Sequence, residues 1–503
     1  MGVNGEARLL SALLAPLGDE VVAGAESGGD ATIQAIVDDS RRARNGALFV
    51  ALRGTGADGH DHAAASVRAG AVAVVAERDI PDLGVPTVRV RDSHRALALL
   101  AAEWFGRPAD RLRLIGVTGT VGKTTVIAML ETILARAGMR PGVIGSLGSG
   151  WGDDKHDTGM TTPGPLELHE SLARIAPHAD TALIEVTSHA LVQERVHGLR
   201  FPLGIFTNLV MLEHLEFHET FQQYVEAKSR FFEHVDPEAP LIYPAGDRLL
   251  DRLVADRPVR AVPCGSGTEN VALHIERMAM TSHGTRLLFQ IEEPYPRVDG
   301  SFVPPMTLPA ALKLLGRAAV NNASLAAAAA LSLGVDPETT AVALTELAPL
   351  PRRMQVLRPG PVTLLDDTVG HPDSISGVFE VAEVVPHDRM FVVYAIRGRR
   401  GAHINQRDAE AVAIWTRRLP VERIVVTAAA DVTDDANAVQ PDEREAFLEG
   451  LADSAAPHSY HDGLEDAIAE VVPLGKPSDL VMLLGAQGMN QGAAIALRLL
   501  GRQ

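Results

Sequence analysis

Cysteine is almost absent from this chain: its 503 residues include one, Cys264. A lone thiol excludes an internal disulfide framework and fits a reducing compartment. Long apolar runs are missing as well. The longest, 323–335, is too short to span a bilayer and starts beside Asn321 and Asn322, so no membrane insertion is expected. The first seven residues lack a basic start leading into an apolar core, so no secretory signal is expected. Positive charge is also in deficit: 46 Lys and Arg stand against 64 Asp and Glu, a formal net charge of −18. That balance argues against non-specific nucleic-acid binding and against docking on an anionic membrane. There is no internal repeat and no low-complexity segment. The remaining balance, 46% hydrophobic and 22% charged, is that of an ordinary globular protein, expected in the cytoplasm. Its length exceeds one core, and three domains are expected.

The chain is organised around Gly116-Val117-Thr118-Gly119-Thr120-Val121-Gly122-Lys123-Thr124-Thr125. A strand-like run, 112–117, leads into this glycine-rich turn, and a helix-like run, 124–137, follows it. Glycines let backbone N–H groups approach an anion, the helix N-terminus adds a favourable dipole, and the lysine adds a point charge. A hydroxyl directly after the lysine suits a magnesium ligand. The strict G-x-x-x-x-G-K-[ST] pattern fails, because Val117 stands where its first glycine belongs. The alternative is a tight turn with a solvated lysine. In this context the stretch reads as a nucleotide site.

Residues 1–108 read as a small α/β domain, with helices at 9–17 and 62–69 and strands at 33–37, 47–52 and 71–76. Its Asp39-Ser40-Arg41 and Asp58-Gly59-His60 segments are explicable as turn chemistry alone. Residues 109–348 alternate short apolar strands with helices, which implies a mostly parallel sheet covered on both faces. Strands are placed at 112–117, 142–144, 181–186, 203–207 and 240–243, with an antiparallel addition at 287–291. Functional residues in such sheets gather at the carboxyl ends of strands, where Glu185-Val186-Thr187-Ser188-His189 and Thr207-Asn208 lie. Residues 349–503 form a third, Rossmann-like α/β unit with strands at 362–365, 390–395, 423–426 and 480–484. Pro351 and the prolines at 359 and 361 mark the hinge region before it.

Four features outside the loop suggest chemistry. Glu185 ends a buried strand, where an unpaired carboxylate is costly; a magnesium ion or a structural hydrogen bond would account for it. Glu213-His214-Leu215-Glu216-Phe217-His218 packs two carboxylates and two imidazoles together, as a metal or substrate site or as a solvated turn. Tyr224 and Lys228 share a face of an amphipathic helix at i, i+4, where a lysine by itself reads as a surface residue. Asn322 opens a small-residue helix that it would cap, unless it bonds a base.

In combination the segments resemble the Mur ligases, the ATP-dependent amide-forming enzymes of peptidoglycan precursor synthesis, and the branch closest in pattern is the UDP-N-acetylmuramoyl-tripeptide synthetases. Asp39-Ser40-Arg41, Gly54 and Asp58-Gly59-His60 are similar to that branch's uridine-nucleotide domain, and Gly119 to Thr125 resembles the family phosphate loop. Thr161-Thr162-Pro163, Glu185 with Thr187-Ser188-His189, Arg195, and Phe206-Thr207-Asn208-Leu209 resemble its substrate and metal segments. The resemblance implies ATP contacts from Gly119, Thr120, Gly122, Lys123, Thr124, Thr125, Asn322, Arg353 and Asp366. It implies Mg²⁺ ligands in Thr124, Glu185, His214 and a carbamylated Lys228, and catalytic roles for Lys123, Lys228 and His214. Substrate contacts would come from Ser40, Thr161, Thr162, Ser188 and Arg195. The implied reaction phosphorylates a carboxylate on a UDP-linked muramoyl peptide or a similar acceptor; an amino acid or amine then displaces the phosphate.

Departures concentrate in the last third. Val121 replaces the loop asparagine of the family and Ala319 an adenine-segment asparagine. Gly-Arg-Met-Glu becomes Arg352-Arg353-Met354-Gln355, and the closing Gly-Lys-Gly-His-Glu becomes Gly485-Ala486-Gln487-Gly488-Met489-Asn490. The Asp-Asn-Pro-Arg segment that selects diaminopimelate reads Ala428-Ala429-Ala430-Asp431-Val432-Thr433. Arg397, Arg399 and Arg400 are candidates to hold a carboxylate or phosphate, or form a solvated basic loop. The expectation is an amide ligase. Its rivals are a paralogue acting on another acceptor outside wall synthesis, and a nucleotide-binding protein that no longer ligates.

Overall fold

The structure is a computed structural model that describes residues 7–24, 30–54, 56–210, 218, 220–266, 271–358, 360 and 362–501. Three large sheets of five, eleven and six strands carry the described residues, one in each expected α/β unit, beside two two-stranded ribbons.

The N-terminal sheet runs in the order Val21–Ala23, Thr87–Val90, Ala71–Ala76, Ala47–Val50, Ala35–Val37. Its last four strands are parallel. Ala47–Val50 is buried along its whole length, as a near-continuous apolar run in a parallel sheet should be. The helix expected at 9–17 is shorter: it spans Leu10–Leu14 and passes into a 3-10 turn, Ala15–Glu20. Pro16 sits at the start of that turn, and Gly18, at φ 49, ends regular geometry there. The Asp39 carboxylate accepts from Arg41 N and pairs with the Arg41 guanidinium at 2.8 Å, and Asp58 accepts from His60 N. Both segments are therefore turns built from their own side chains.

The central sheet has eleven strands, and seven form a parallel core: Pro141–Gly145, Thr181–Glu185, Arg113–Thr118, Leu203–Phe206, Pro240–Pro244, Arg260–Gly265 and Leu273–Thr281, in that spatial order. The antiparallel addition expected at 287–291 is Gly284–Ile291, paired on both sides with antiparallel neighbours. Arg113–Thr118 lies between Thr181–Glu185 and Leu203–Phe206. The chain thus changes direction across the sheet beside this strand, and the crevice at such a switch point is where ligands bind in open α/β sheets. Lys123–Arg136 and Arg317–Ser332 cover one face of the sheet. The alanines at 326–330 have no exposed surface, so the run is also a small-residue packing face. Phe201, Phe206 and Phe231 fill the other side.

The C-terminal sheet is ordered Gln355–Leu357, Thr363–Asp367, Leu480–Gly485, Met390–Ala395, Val421–Thr427, His458–His461, parallel except for its first strand. The chain enters it through a turn in which Arg352 (φ 56) and Met354 (φ 47) are both left-handed.

Candidate functional site

The glycine-rich loop follows Arg113–Thr118 and opens the helix Lys123–Arg136. Gly119 has φ 133, and a Cβ there would stand 2.0 Å from Thr207 Oγ1. Gly122 has φ 90, and its Cβ would meet Asn322 Oδ1 at 2.5 Å. Neither position accepts a side chain. The neighbouring strand end pins the loop. Asn208 Oδ1 accepts from Val121 N at 3.0 Å, its Nδ2 donates to Val121 O at 2.9 Å, and Thr207 Oγ1 donates to the same carbonyl at 2.6 Å. Thr120 Oγ1 shares a 2.8 Å hydrogen bond with Tyr224 OH and accepts from Val210 N. Asn208 therefore holds the loop backbone in both directions. Asn208→Ala is expected to raise KM for ATP roughly fivefold or more, from the loss of hydrogen bonds worth ~1 kcal/mol each. The thermal midpoint should hardly move, and steady-state kinetics beside a melting curve checks both halves.

Three charged groups converge below the loop. Lys123 Nζ donates to Gly119 O and Thr120 O, each at 2.9 Å. Lys228 Nζ reaches the same Gly119 carbonyl at 2.8 Å and Thr118 Oγ1 at 3.2 Å. Lys228 is buried, not on the surface as its local sequence suggests, and burial, with the neighbouring Lys123 charge, pushes its amine well below the usual lysine range. Glu185 is 1% exposed; burial raises its carboxyl, opposed chiefly by Lys123. Thr124 Oγ1 donates to Glu185 at 3.0 Å and Ser146 N donates at 2.8 Å. Ser146 Oγ also bonds Thr161 Oγ1 at 2.9 Å. A hydrogen-bonded line thus runs from the loop hydroxyl Thr124 through Glu185 and Ser146 to Thr161.

The other expected substrate residues are placed differently. Thr162 is buried, donates to Glu185 O at 2.7 Å and accepts from Thr187 N, so its hydroxyl is committed to holding this strand end. Arg195 donates to Thr162 O and Gln193 Oε1, bracing the same segment. Ser188 is buried against His218 Nε2 at 2.9 Å. Thr125 is buried in the loop helix. Ser40 stands on the N-terminal sheet, in the turn Ser40–Arg42. Asn322 is not a cap: Gly316 holds that position, and Asn322 lies in the second turn of Arg317–Ser332, against the loop. His214, with its neighbours at 213 and 215–217, lies outside the described residues, as do the hinge prolines at 359 and 361.

In the C-terminal unit, Asp366 is buried and pairs with Arg352 Nε at 3.4 Å, while burial pushes the neighbouring Asp367 carboxyl up to about 6. The amides of Arg399, Arg400 and Gly401 all donate to Glu443, at 3.0, 2.7 and 2.6 Å. The backbone of the arginine loop therefore already wraps a carboxylate, while the Arg399 side chain is exposed and Arg400 is buried. Asp431 is likewise engaged, accepting from Leu464 N and Glu465 N at the start of the helix Leu464–Val471. Sequence reasoning passed over Ser146, Asn208 as a loop clamp, and Glu443. The signal for Ser146 was its place just after the strand beside Thr181–Glu185.

A glycine-rich phosphate loop at the switch point of a central sheet, with an α/β unit on either side, defines a three-domain, nucleotide-dependent α/β enzyme. Sequence-family models agree. The Mur ligase family catalytic domain matches residues 32–105, the Mur ligase middle domain 117–330, and the Mur ligase glutamate ligase domain 352–487. The UDP-N-acetylmuramoyl-L-alanyl-D-glutamate–2,6-diaminopimelate ligase of Bacillus velezensis is 31% identical over 469 residues, 91% of this chain and 89% of that protein. Its Bacillus cereus counterpart is 29% identical over 90% of this chain and 89% of its own. Among solved structures, MurF from Acinetobacter baumannii superposes with a TM-score of 0.68 at 20% identity, covering 99% of this chain and 100% of that one. MurF from Thermotoga maritima, solved with ADP, gives 0.65 at 19% identity over 93% and 98%. The chain belongs to the Mur ligase family of ATP-dependent, ADP-forming ligases. Among the described residues no helix is long and apolar enough to cross a membrane.

Proposed function

We propose that this enzyme joins an amino acid or amine to the carboxylate of a UDP-N-acetylmuramoyl dipeptide, through an acyl phosphate made from ATP. Residues 1–108 would bind the uridine nucleotide, 109–348 ATP, and 349–503 the amine. The observation that carries this reading is the line from Thr124 through Glu185 and Ser146 to Thr161, which connects the phosphate loop to the acceptor-side segment. The Bacillus relatives, whose names specify such an acceptor, support it.

The acceptor carboxylate oxygen attacks the γ-phosphorus and ADP leaves; the amine nitrogen then attacks the acyl carbon, releasing phosphate and a proton. Lys123 and the loop amides hold the transferring phosphoryl group, so catalysis is largely positioning and charge neutralisation. Among the described residues, no three His, Cys, Asp or Glu side chains cluster as a metal cage. Magnesium does not need one, because it commonly takes one or two carboxylates plus substrate phosphates. Glu185 and the Thr124 hydroxyl offer the hard oxygens it prefers, and Lys228 would add two more as a carbamate, with His214 nearby in sequence. The bound cation would neutralise charge on the phosphate oxygens. Asn322, Arg353 and Asp366 would contact the nucleotide, and Ser40, Thr161, Ser188 and Arg195 line or brace the acceptor side. A cytoplasmic location fits these substrates.

The amino acid named for the Bacillus relatives does not carry over. Diaminopimelate presents a distal carboxylate and ammonium, and a selective site needs a fixed cation, ideally a bidentate arginine. Residues 428–433 supply none, and Asp431 is occupied as a helix cap. A charged hydrogen bond is worth about 1.5–3 kcal/mol, so roughly tenfold to hundredfold discrimination is lost. In competition on the UDP-linked dipeptide, lysine, ornithine or a neutral amino acid should exceed diaminopimelate in kcat/KM. A win for diaminopimelate would overturn this reading of the C-terminal domain, and phosphate release with no UDP-linked acceptor at all would favour a paralogue on another carboxylate.

A further inference from the structure

The turn that enters the C-terminal sheet holds two consecutive arginines of unequal standing. Arg353 is the candidate nucleotide ligand; its positive charge acts on Asp366, on Asp367 and, across the domain boundary, on Glu185 beside the phosphate loop. Arg352 instead points into protein. Its side chain is 15% exposed, and its guanidinium donates to the main-chain carbonyls of Gly485 and, at 2.9 Å, Ala486, to Asn490 Oδ1, and to Asp366 Oδ1 at 3.4 Å. Asp366, Gly485 and Ala486 lie at or just past the carboxyl ends of two adjacent strands, Thr363–Asp367 and Leu480–Gly485, and Asn490 follows the 3-10 turn after the second.

The backbone is held just as firmly. Arg352 O accepts from Thr368 N and from Thr368 Oγ1, each at 3.1 Å, and Arg352 N donates to Gln355 Oε1. Met354 N donates to Asp367 Oδ2 at 2.6 Å. Arg352 and Met354 are both left-handed, a conformation that residues with a Cβ rarely adopt and that the surroundings must enforce. Arg353 is thereby clamped on both sides to the C-terminal sheet.

We propose that Arg352 is a positioning residue that staples this turn to the carboxyl ends of the sheet, so that Arg353 travels with the C-terminal domain as one rigid body and is presented to nucleotide on the central domain. The proposal rests on the nucleotide reading of the loop, and one titration separates the two. ADP with MgCl₂ is titrated calorimetrically into the full-length protein and into Arg352→Gly, Arg352→Lys, Arg353→Ala and the Arg352→Gly/Arg353→Ala double variant. Glycine accepts the left-handed backbone without strain, which favours a folded variant, and lysine keeps the charge but not the planar fork.

Arg352→Gly and Arg352→Lys should each bind ADP about tenfold more weakly, as should Arg353→Ala. The double variant should be no weaker than Arg353→Ala alone, because a residue acting through another shows no independent loss. Losses that multiply in the double variant would make Arg352 an independent structural residue and overturn the proposal. Wild-type affinity in Arg352→Lys, in Arg353→Ala, or in a folded Arg352→Gly would overturn it as well. If Arg352→Gly fails to fold, the lysine variant alone decides. Failure of the unaltered protein to bind ADP would instead overturn the nucleotide reading, and this proposal with it.

Discussion

Lys123→Ala is expected to lower ATP turnover at least a hundredfold while leaving the protein folded. The lysine amine folds back onto the loop, 2.9 Å from both the Gly119 and Thr120 carbonyls, at the head of the helix Lys123–Arg136. A positive charge there follows the phosphoryl group as it leaves ADP for the acceptor, so its removal weakens the transition state more than the ground state. A hundredfold loss corresponds to about 2.7 kcal/mol in the barrier. The fold should survive because Thr207, Asn208 and Tyr224 still pin the loop. The measurement is single-turnover ADP release beside a melting curve. A loss of less than about tenfold would remove Lys123 from the phosphoryl-transfer role.

Lys228→Ala is expected to be inactive for a different reason. Lys228 is 1% exposed and packs with Tyr224, its amine meeting only Gly119 O and Thr118 Oγ1 among described hydrogen-bond partners. A buried ammonium so close to Lys123 is costly, whereas a carbamate would convert the position into two anionic oxygens suited to magnesium. Bicarbonate labelled with ¹³C should give a carbamate resonance in the unaltered protein and none in Lys228→Met. Short carboxylates should restore part of the activity of Lys228→Ala by filling the vacated oxygen positions. An unmodified amine in protein saturated with bicarbonate and ATP would sink the idea.

The pH dependence of stability has a definite sign. Without bicarbonate, where Lys228 is an amine, its folded value lies below the ordinary 10.5, so between the two the unfolded chain binds more protons. The penalty is absent above 10.5, grows as pH falls toward the lowered folded value, and is constant below it. Lys228→Met, which keeps the volume without the amine, should lose this part of the pH dependence. Denaturant titrations of both proteins across alkaline pH measure the difference.

The phosphate loop was legible in the sequence because all its parts are contiguous: strand, glycines, Lys123, Thr124 and helix follow one another within one supersecondary unit. The strands Ala71–Ala76 and Met390–Ala395 were legible too, since a short apolar run bounded by polar turns suffices for a buried strand. The resemblance to the Mur ligases stood on such contiguous segments, and the family matches bear it out.

What only the tertiary structure decided lies between segments. Residue periodicity placed Tyr224 and Lys228 on one helical face but gave no reason to bury it. The strand order puts that face beneath a loop more than a hundred residues earlier, where Lys228 meets Gly119 O and Tyr224 meets Thr120. The same holds for Asn208, which clamps the loop because Leu203–Phe206 happens to pair with Arg113–Thr118. Asp431, Glu443 and Arg352 look like free charges in the sequence and prove to be spent on a helix start, three amides and two strand ends. A charged side chain carries its chemistry locally, but whether it is available depends on which N–H or C=O the fold sets beside it, and that pairing is non-local.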